Sequence, residues 1–194
     1  GLLPSGSEDP YGLRRHSLGI IQIIISQNWQ VSLDVLIQKG VNLLKDKTKL
    51  TSDEIHMHTQ ILFSQRYKTI LIGEEYPYDA IDAVLSANID SLVDVRQKVV
   101  ALSDLKKQPY FEPLAITFRR VVSILNEESD GDIQTSLLSE PAEKKLYDEY
   151  RRVKEPVENH LSKKQFPQAL EKIVEIKETV DDFFEHVMVM TKED

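Results

Sequence analysis

Along this chain apolar residues recur every three or four positions, with polar residues filling the gaps. That period marks amphipathic helices rather than strands. Leu13, Ile20, Ile21, Ile24 and Ile25 fall on it. The run "IIQIII" alone suits a strand, but its surroundings place it in a helix buried on much of its circumference. Asp9 is positioned to cap this helix, with Pro10 at the first helical position, where a missing N–H does no harm. "VSLDVLIQKGVNLL" predicts a second helix over 31–44, with Gly40 either a weak point inside it or a break between two pieces. Residues 51–54, "TSDE", have the form of a capping box and open a third helix that stops at Gly73. Two shorter helices are expected after Pro77 and near Asp90.

Pro109 and Pro113 precede a helix over 114–127, and "SDGD" at 129–132 reads as a loop. Residues 139–141 start a long charged helix, whose second half Pro156 is placed to begin. Phe166 and Pro167 lead into "QALEKIVEIKE". Thr179 and Asp182 suit the cap of a last helix, and one continuous helix is the alternative. There Val180, Phe183, Phe184, Val187 and Met188 fall at i, i+3, i+4, i+7 and i+8, one helix face. Asp181 and Asp182 lie off that face in its first turn, where negative charge is favoured. An acidic first turn on a core helix outweighs a catalytic acid pair, and the methionines read as core fillers. The expected fold is all-α, a helical bundle.

The 194 residues suffice for one ordinary domain or two small ones, with a genuine core. A net charge of −8 argues against non-specific coating of nucleic acid, but not against a local basic patch. Without cysteine there is no disulfide framework, thiolate nucleophile or Cys-ligated metal, and a cytoplasmic location is the simple reading. No apolar run approaches the about 20 residues that span a bilayer, so no membrane partner is expected. "GLLPSGSEDP" lacks the features of a signal peptide and reads as cut from something longer.

Phosphate loops, dinucleotide glycine motifs, the HExxH pattern and a serine elbow are all absent from the sequence. His56 and His58, two apart on a helix, face different sides and make a poor metal pair. His16, His160 and His186 read as surface or packing residues. No catalytic residue and no metal ligand is therefore assigned. Arg119 and Arg120 stand out on the helix whose buried stripe is Leu114, Phe118, Val121, Val122 and Leu125. At about 100° per residue both lie off that stripe, Arg120 nearly opposite it. They are placed to reach phosphates or stack on unpaired bases. From periodicity alone, exposed arginines bridging to nearby acids is the favoured reading. Arg14 lies near the first helix's stripe as a candidate buried ion-pair partner, whereas Arg15 points outward. Arg151 and Arg152 sit in "YDEYRRVKE" as members of a surface ion-pair network.

"PSGSEDPYGLRRHSLGIIQII" resembles the stretch following the HD-like domain in the beta subunit of bacterial-type glycyl-tRNA synthetase, P-T-G-S-x-D-P-[FY]-x-L-R-R-x-x-x-G. Pro4, Gly6, Ser7, Asp9, Pro10, Leu13, Arg14, Arg15 and Gly19 fit, and Ser5 replaces the usual Thr. "YDAIDAVLSANIDSLVDVRQKVVAL" is similar to the family's D-V-I-x-A-V-L region and the segment after it. "FEPLAITFRRVVSIL" is similar to L-A-x-x-F-K-R-V-x-N-I-L, with Arg119 where Lys is usual and Ser123 where Asn is usual. "FPQALEKIVEIKETVDDFFEHVMVM" is similar to A-L-x-x-L…V-D-x-F-F-D-x-V-M-V-M.

The resemblance runs in order from Pro4 to Met190 and implies the following. Residues 1–50 are a helical segment after an upstream HD-like domain, 51–105 a helical linker, and 106–194 an anticodon-binding domain like that of arginyl-tRNA synthetase, called DALR. The family continues into a further helix bearing N-R-L-x-L-L, so this domain would be trimmed at its C-terminal end. The chain would be the tRNA-recognising, non-catalytic part of glycine–tRNA ligase, with tRNA(Gly) and an alpha subunit as partners in an α2β2 assembly. The whole enzyme would use ATP and Mg²⁺, with no cofactor in this part. No HD dipeptide occurs in the chain, as fits a position downstream of the HD-like region. The residues expected to meet tRNA are Arg119 and Arg120, with Arg15 and Arg66 as weaker phosphate contacts. The alternative is a helical protein–protein interaction module without RNA contact.

Overall fold

The computed structural model describes residues 9, 11–44, 47, 49–124 and 133–189. Pro10, Leu125, the loop at 129–132 and Met190 lie outside the described residues. Among those described, the regular structure is helical: α1 Leu13–Ser26, α2 Leu33–Leu44, α3 Ser52–Gly73, α4 Tyr78–Ala87, α5 Leu92–Lys106, α6 Phe111–Ile124, α7 Pro141–Ser162, α8 Phe166–Glu175 and α9 Lys177–His186. A single 3-10 turn precedes α7 at Thr135–Leu137. The chain forms two compact units, Gly1–Ser103 and Asp104–Asp194.

In the first unit α3 is central, with α1, α2 and α4 packed on different sides. Tyr67, Leu71, Ile21, Ile81, Leu33, Leu92 and Val99 are among the residues withdrawn from solvent into one cluster, so residues 13–44 and 52–103 share a single core. The Tyr67 hydroxyl, inside that cluster, donates to the Leu92 carbonyl at 2.7 Å, and burial pushes its pKa well up. A buried phenol needs such a partner to avoid a desolvation penalty.

Local chemistry sets the ends. Gly12 takes φ 67°, in the left-handed region, and α1 begins at Leu13, later than Asp9 and Pro10 suggest. Asp9 still contributes, because its carboxylate accepts the Arg14 backbone N–H at 3.1 Å. Of the expected α1 stripe only Ile21 and Ile24 are buried. Ile20 is 42% and Ile23 53% exposed, because α3 covers one side alone. Gly40 neither breaks nor ends α2. The capping box on α3 is formed, with Thr51 N–H to Glu54 Oε2 at 2.8 Å and Glu54 N–H to Thr51 Oγ1 at 3.2 Å. The Thr51 backbone N–H foremost, and then the Thr51 hydroxyl, which donates to the same Oε2 at 2.9 Å, hold the Glu54 carboxyl below its ordinary value. Gly73 closes α3 within its last turn, and the left-handed residue is Glu75.

Asp90 does something its position near α5 hides. It caps α2: Oδ1 accepts the Ser32 hydroxyl at 2.7 Å and the Asp34 N–H at 2.9 Å, and its carbonyl accepts the Leu33 N–H at 2.8 Å. Ser91 Oγ serves the start of α5, accepting the Asp94 N–H.

In the second unit α7 packs along α8 and α9, and α6 packs on α9. Val153, Phe166, Ala169, Leu114, Ala142 and Val180 are buried, a thinner core than the first unit's. Pro156 starts nothing: α7 runs through it unbroken. Its missing N–H costs one rung, and the flanking turns hold. Glu140, not Ser139, flanks α7, its N–H bonded to Glu143 Oε2 at 2.9 Å. A one-residue turn at Ile176 separates α8 from α9, so the last helix starts at Lys177, upstream of Thr179 and Asp182. Arg152 links α7 to α8, reaching Glu149 at 2.5 Å and Glu175 at 2.9 Å, as the surface-network reading expects.

Two expectations for the last helix fail. It ends at His186, and Val187 is extended, so Val187 and Met188 leave the helix face. Met188 is 83% exposed and no core filler. Asp181 and Asp182 lie in the second turn of α9, not the first, and tie helices together. Asp181 Oδ1 accepts the Thr117 hydroxyl at 2.6 Å, and Asp182 pairs with Lys145 at 2.7 Å.

Candidate nucleic-acid interface

α6 begins at Phe111, so Pro113 sits inside its first turn, where no intrahelical N–H bond is lost. The buried residues of α6 are Leu114 and Thr117, while Val122 is 66% exposed. The stripe is therefore rotated from the one its apolar residues suggest, and the cause is polar. The Thr117 hydroxyl has one proton and two acceptors in reach, Asp181 Oδ1 at 2.6 Å and Pro113 O at 3.1 Å. The shorter, charged bond draws the Thr117 side of α6 onto α9. Stepping about 100° per residue from that buried centre, Arg119 lies nearly opposite it and Arg120 on its flank. This reverses the order expected from the apolar stripe.

Both arginines are exposed. The Arg120 guanidinium stands 4.3 Å from the centroid of the Phe184 ring, a cation–π geometry. Phe184 meets Phe183 edge to face, with centroids 5.5 Å apart and planes at 69°. On the same helix Asp181 holds Lys177 at 2.6 Å. Burial alone raises the Asp181 pKa. The bonds from Lys177 and Thr117, with the Arg120 charge nearby, outweigh that and hold the carboxyl below its usual range. Lys145, foremost, does the same to Asp182. Asp181 and Asp182 are thus each paired with a lysine, while Arg119 and Arg120 are the exposed cations of α6.

Between α6, α7 and α9 runs a groove of about 620 Å³ whose walls include Phe118, Tyr147, Tyr150, Phe183 and Phe184. These aromatics are too scattered along the chain to read as a group. Only the pairing of α6 and α7 with α9 collects them.

Arg15 and Arg66 belong to the first unit. Arg15 is exposed at the start of α1. Arg66 is half-buried on α3, and its Nε is buried without a hydrogen-bond partner among the described residues, which limits its reach toward an outside phosphate. The four arginines therefore divide two and two between the units. Arg14 is half-buried. His56 pairs with Asp34 across α2 and α3 at 3.2 Å, while His58 turns its Nδ1 inward, so the two imidazoles diverge. No group of three or more His, Asp or Glu converges among the described residues.

The family model "Glycyl-tRNA synthetase beta subunit" matches residues 1–86, and "DALR anticodon binding domain" matches residues 114–194. The chain belongs to the glycyl-tRNA synthetase beta-subunit family. Within that family it is the region carrying the DALR domain, which falls in the second compact unit. Among its relatives is the glycine–tRNA ligase beta subunit of Syntrophus aciditrophicus (strain SB), 36% identical over 193 residues, covering all of this chain. That of Geobacter sulfurreducens is 38% identical over 192 residues, covering 99% of it. That of Geotalea daltonii is 34% identical over 194 residues. The chain spans 28% of the length of each of these relatives. No helix of the described residues is long and apolar enough to cross a membrane.

Proposed function

We propose that this chain is the tRNA-recognising, C-terminal part of a glycine–tRNA ligase beta subunit. It grips the anticodon arm of tRNA(Gly) while an alpha subunit, in an α2β2 enzyme, attaches glycine using ATP and Mg²⁺ in the cytoplasm. Its share of the work is recognition, not bond-making. The observation that carries the reading is the match of the DALR anticodon-binding family to the unit whose α6 presents Arg119 and Arg120 outward. Arginine suits this role because its planar, permanently charged fork meets phosphates bidentately and stacks on bases. Arg15 and Arg66 are proposed as lesser phosphate contacts, Arg66 the weaker. The finer division of the parent protein, an HD-domain end over 1–50 and a linker over 51–105, is likewise part of this proposal.

The test is charge reversal, Arg119→Glu with Arg120→Glu, in the full-length subunit with its alpha partner. Affinity for tRNA(Gly) falls, and the slope of log affinity against log salt shrinks by about one per lost phosphate contact. Glycyl-adenylate formation, which needs no tRNA, holds. Unaltered tRNA affinity at moderate salt removes both arginines from the interface.

A second reading draws on exposed apolar residues of the first unit. Leu36 and Leu43 on α2, and Met57 and Ile61 on α3, are all more than 40% exposed. They suit a protein-facing surface, and protein docking without RNA contact would rest on them.

A further inference from the structure

We infer that Thr117 and Asp181 are positioning residues for tRNA recognition: their hydrogen bond sets the rotation of α6, so that Arg119 is offered to a phosphate while Arg120 is braced against α9. The inference rests on the tRNA-recognition reading. It adds the device that aims the arginine doublet and divides the work within it.

Thr117 is 2% exposed, so it acts on an outside partner only through another residue. Its hydroxyl meets Asp181 Oδ1 at 2.6 Å, and Asp181 Oδ2 is anchored by Lys177 at 2.6 Å, one turn earlier on α9. α6 packs on α9, and its buried residues are Leu114 and Thr117. Leu114 does not fix the rotation, because apolar burial has no direction. A hydroxyl–carboxylate bond does, since it weakens steeply as its angle closes. The apolar residues pull elsewhere. At about 100° per residue, the centre of Leu114, Phe118, Val121 and Val122 lies on the order of 50° from the buried side that the bond selects. A helix turned by that much carries Arg119 away from the outermost position and swings Arg120 toward it. The hydrogen bond therefore decides which arginine is outermost. The surroundings of the two differ accordingly. Arg120 stands 4.3 Å from the Phe184 ring centroid, and its charge acts on the Asp181 carboxylate as well, so both its partners belong to α9. The Arg119 side chain has no hydrogen bond, ion pair or ring contact among the described residues, and its whole fork is left for a phosphate.

The test uses the full-length subunit with its alpha partner and tRNA(Gly), read by filter binding over a salt series and by aminoacylation kinetics. Arg119→Ala lowers affinity on the order of tenfold and the salt slope by about one. Thr117→Val and Asp181→Ala, which leave both arginines in place, raise KM for tRNA several-fold and leave kcat at saturating tRNA unchanged. Thr117→Ser, which keeps the hydroxyl, restores the parental KM. In the Arg119→Ala background Thr117→Val adds no further loss, because the residue it aims is gone. The same factor lost in both backgrounds means that Thr117 acts on the fold at large, and the inference falls. A parental KM for Thr117→Val also overturns it, and the tRNA reading stands if Arg119→Glu with Arg120→Glu binds weakly. Equal loss of salt slope in Arg119→Ala and Arg120→Ala refutes the division of work, and the inference with it. Should Thr117→Val fail to fold, Asp181→Ala carries the same comparison. If the doubly reversed variant binds tRNA like the parent, the arginine site and the inference fall together.

Discussion

In the first unit Tyr67, Leu71, Ile81, Leu92 and Val99 have almost no accessible surface and belong to one cluster. In the second, Phe118, Phe183 and Phe184 are only half-buried, and Thr117–Asp181 ties α6 to α9 as Lys145–Asp182 ties α7 to α9. The difference tracks the proposed roles. A close-packed interior resists deformation and makes a stiff support. A thin interior tied by polar pairs leaves aromatic surface available and lets helices adjust around a ligand. The same contrast appears in titration. Among the described residues, the carboxyls held below their ordinary range are Glu54 in the first unit and Glu149, Glu175, Asp181 and Asp182 in the second.

The comparison breaks most directly through the first core. Leu71→Ala leaves a cavity in a site with no solvent access, and a loss of about 2–5 kcal/mol is expected in urea unfolding of the chain. A loss under 1 kcal/mol would mean that the first unit is as loosely packed as the second. Next is the tie between α6 and α9. Thr117→Val keeps the shape and strips Asp181 of a donor, with an expected cost of about 1–2 kcal/mol and faster amide exchange in α6 and α9 but not in α3. Asp90→Ala, removing the remote cap of α2, is expected to cost about 1 kcal/mol and to fray α2 first.

Acid sharpens the contrast further. Carboxyls whose folded pKa is depressed stabilise the fold above their unfolded pKa, and that stabilisation is lost as pH falls through the folded value. The second unit, holding most of them, is expected to loosen first as pH drops below about 4, followed through tyrosine near-ultraviolet dichroism and amide exchange. Thr117→Val flattens that response. The smallest effect is expected of Glu75→Gly. Relief of left-handed strain at φ 65° slightly exceeds the added chain entropy, a gain of about 0.5 kcal/mol. It should appear in the midpoint of the first unit only.

What the sequence reveals and what it conceals divide by distance along the chain. The capping box at Thr51 and Glu54 spans three residues and is legible by inspection. The helical character of 13–26 is equally local, since period alone separates it from a strand. The Asp90 cap joins residues 58 apart, and nothing near Ser32 announces it. The rotation of α6 was hidden for the same reason: apolar counting favours Val122, whereas a hydroxyl–carboxylate bond 64 residues long in sequence selects Thr117. Val187 and Met188 keep helical spacing on paper after the backbone has turned extended. Of the proposed site, the paired arginines were visible as an off-stripe doublet. The aromatic groove was not, because its rings come from three helices.

The Asp90 cap also bears on how the chain is made. Ser32 leaves the ribosome 58 residues before its partner, roughly 3–12 s earlier at typical elongation rates. Until Asp90 emerges, the head of α2 has only Ser32 Oγ, which accepts the Val35 N–H, to answer its free amides. The remote cap of α2 therefore cannot close until the chain has been made through Asp90, by which point most of α1 to α4 has already emerged.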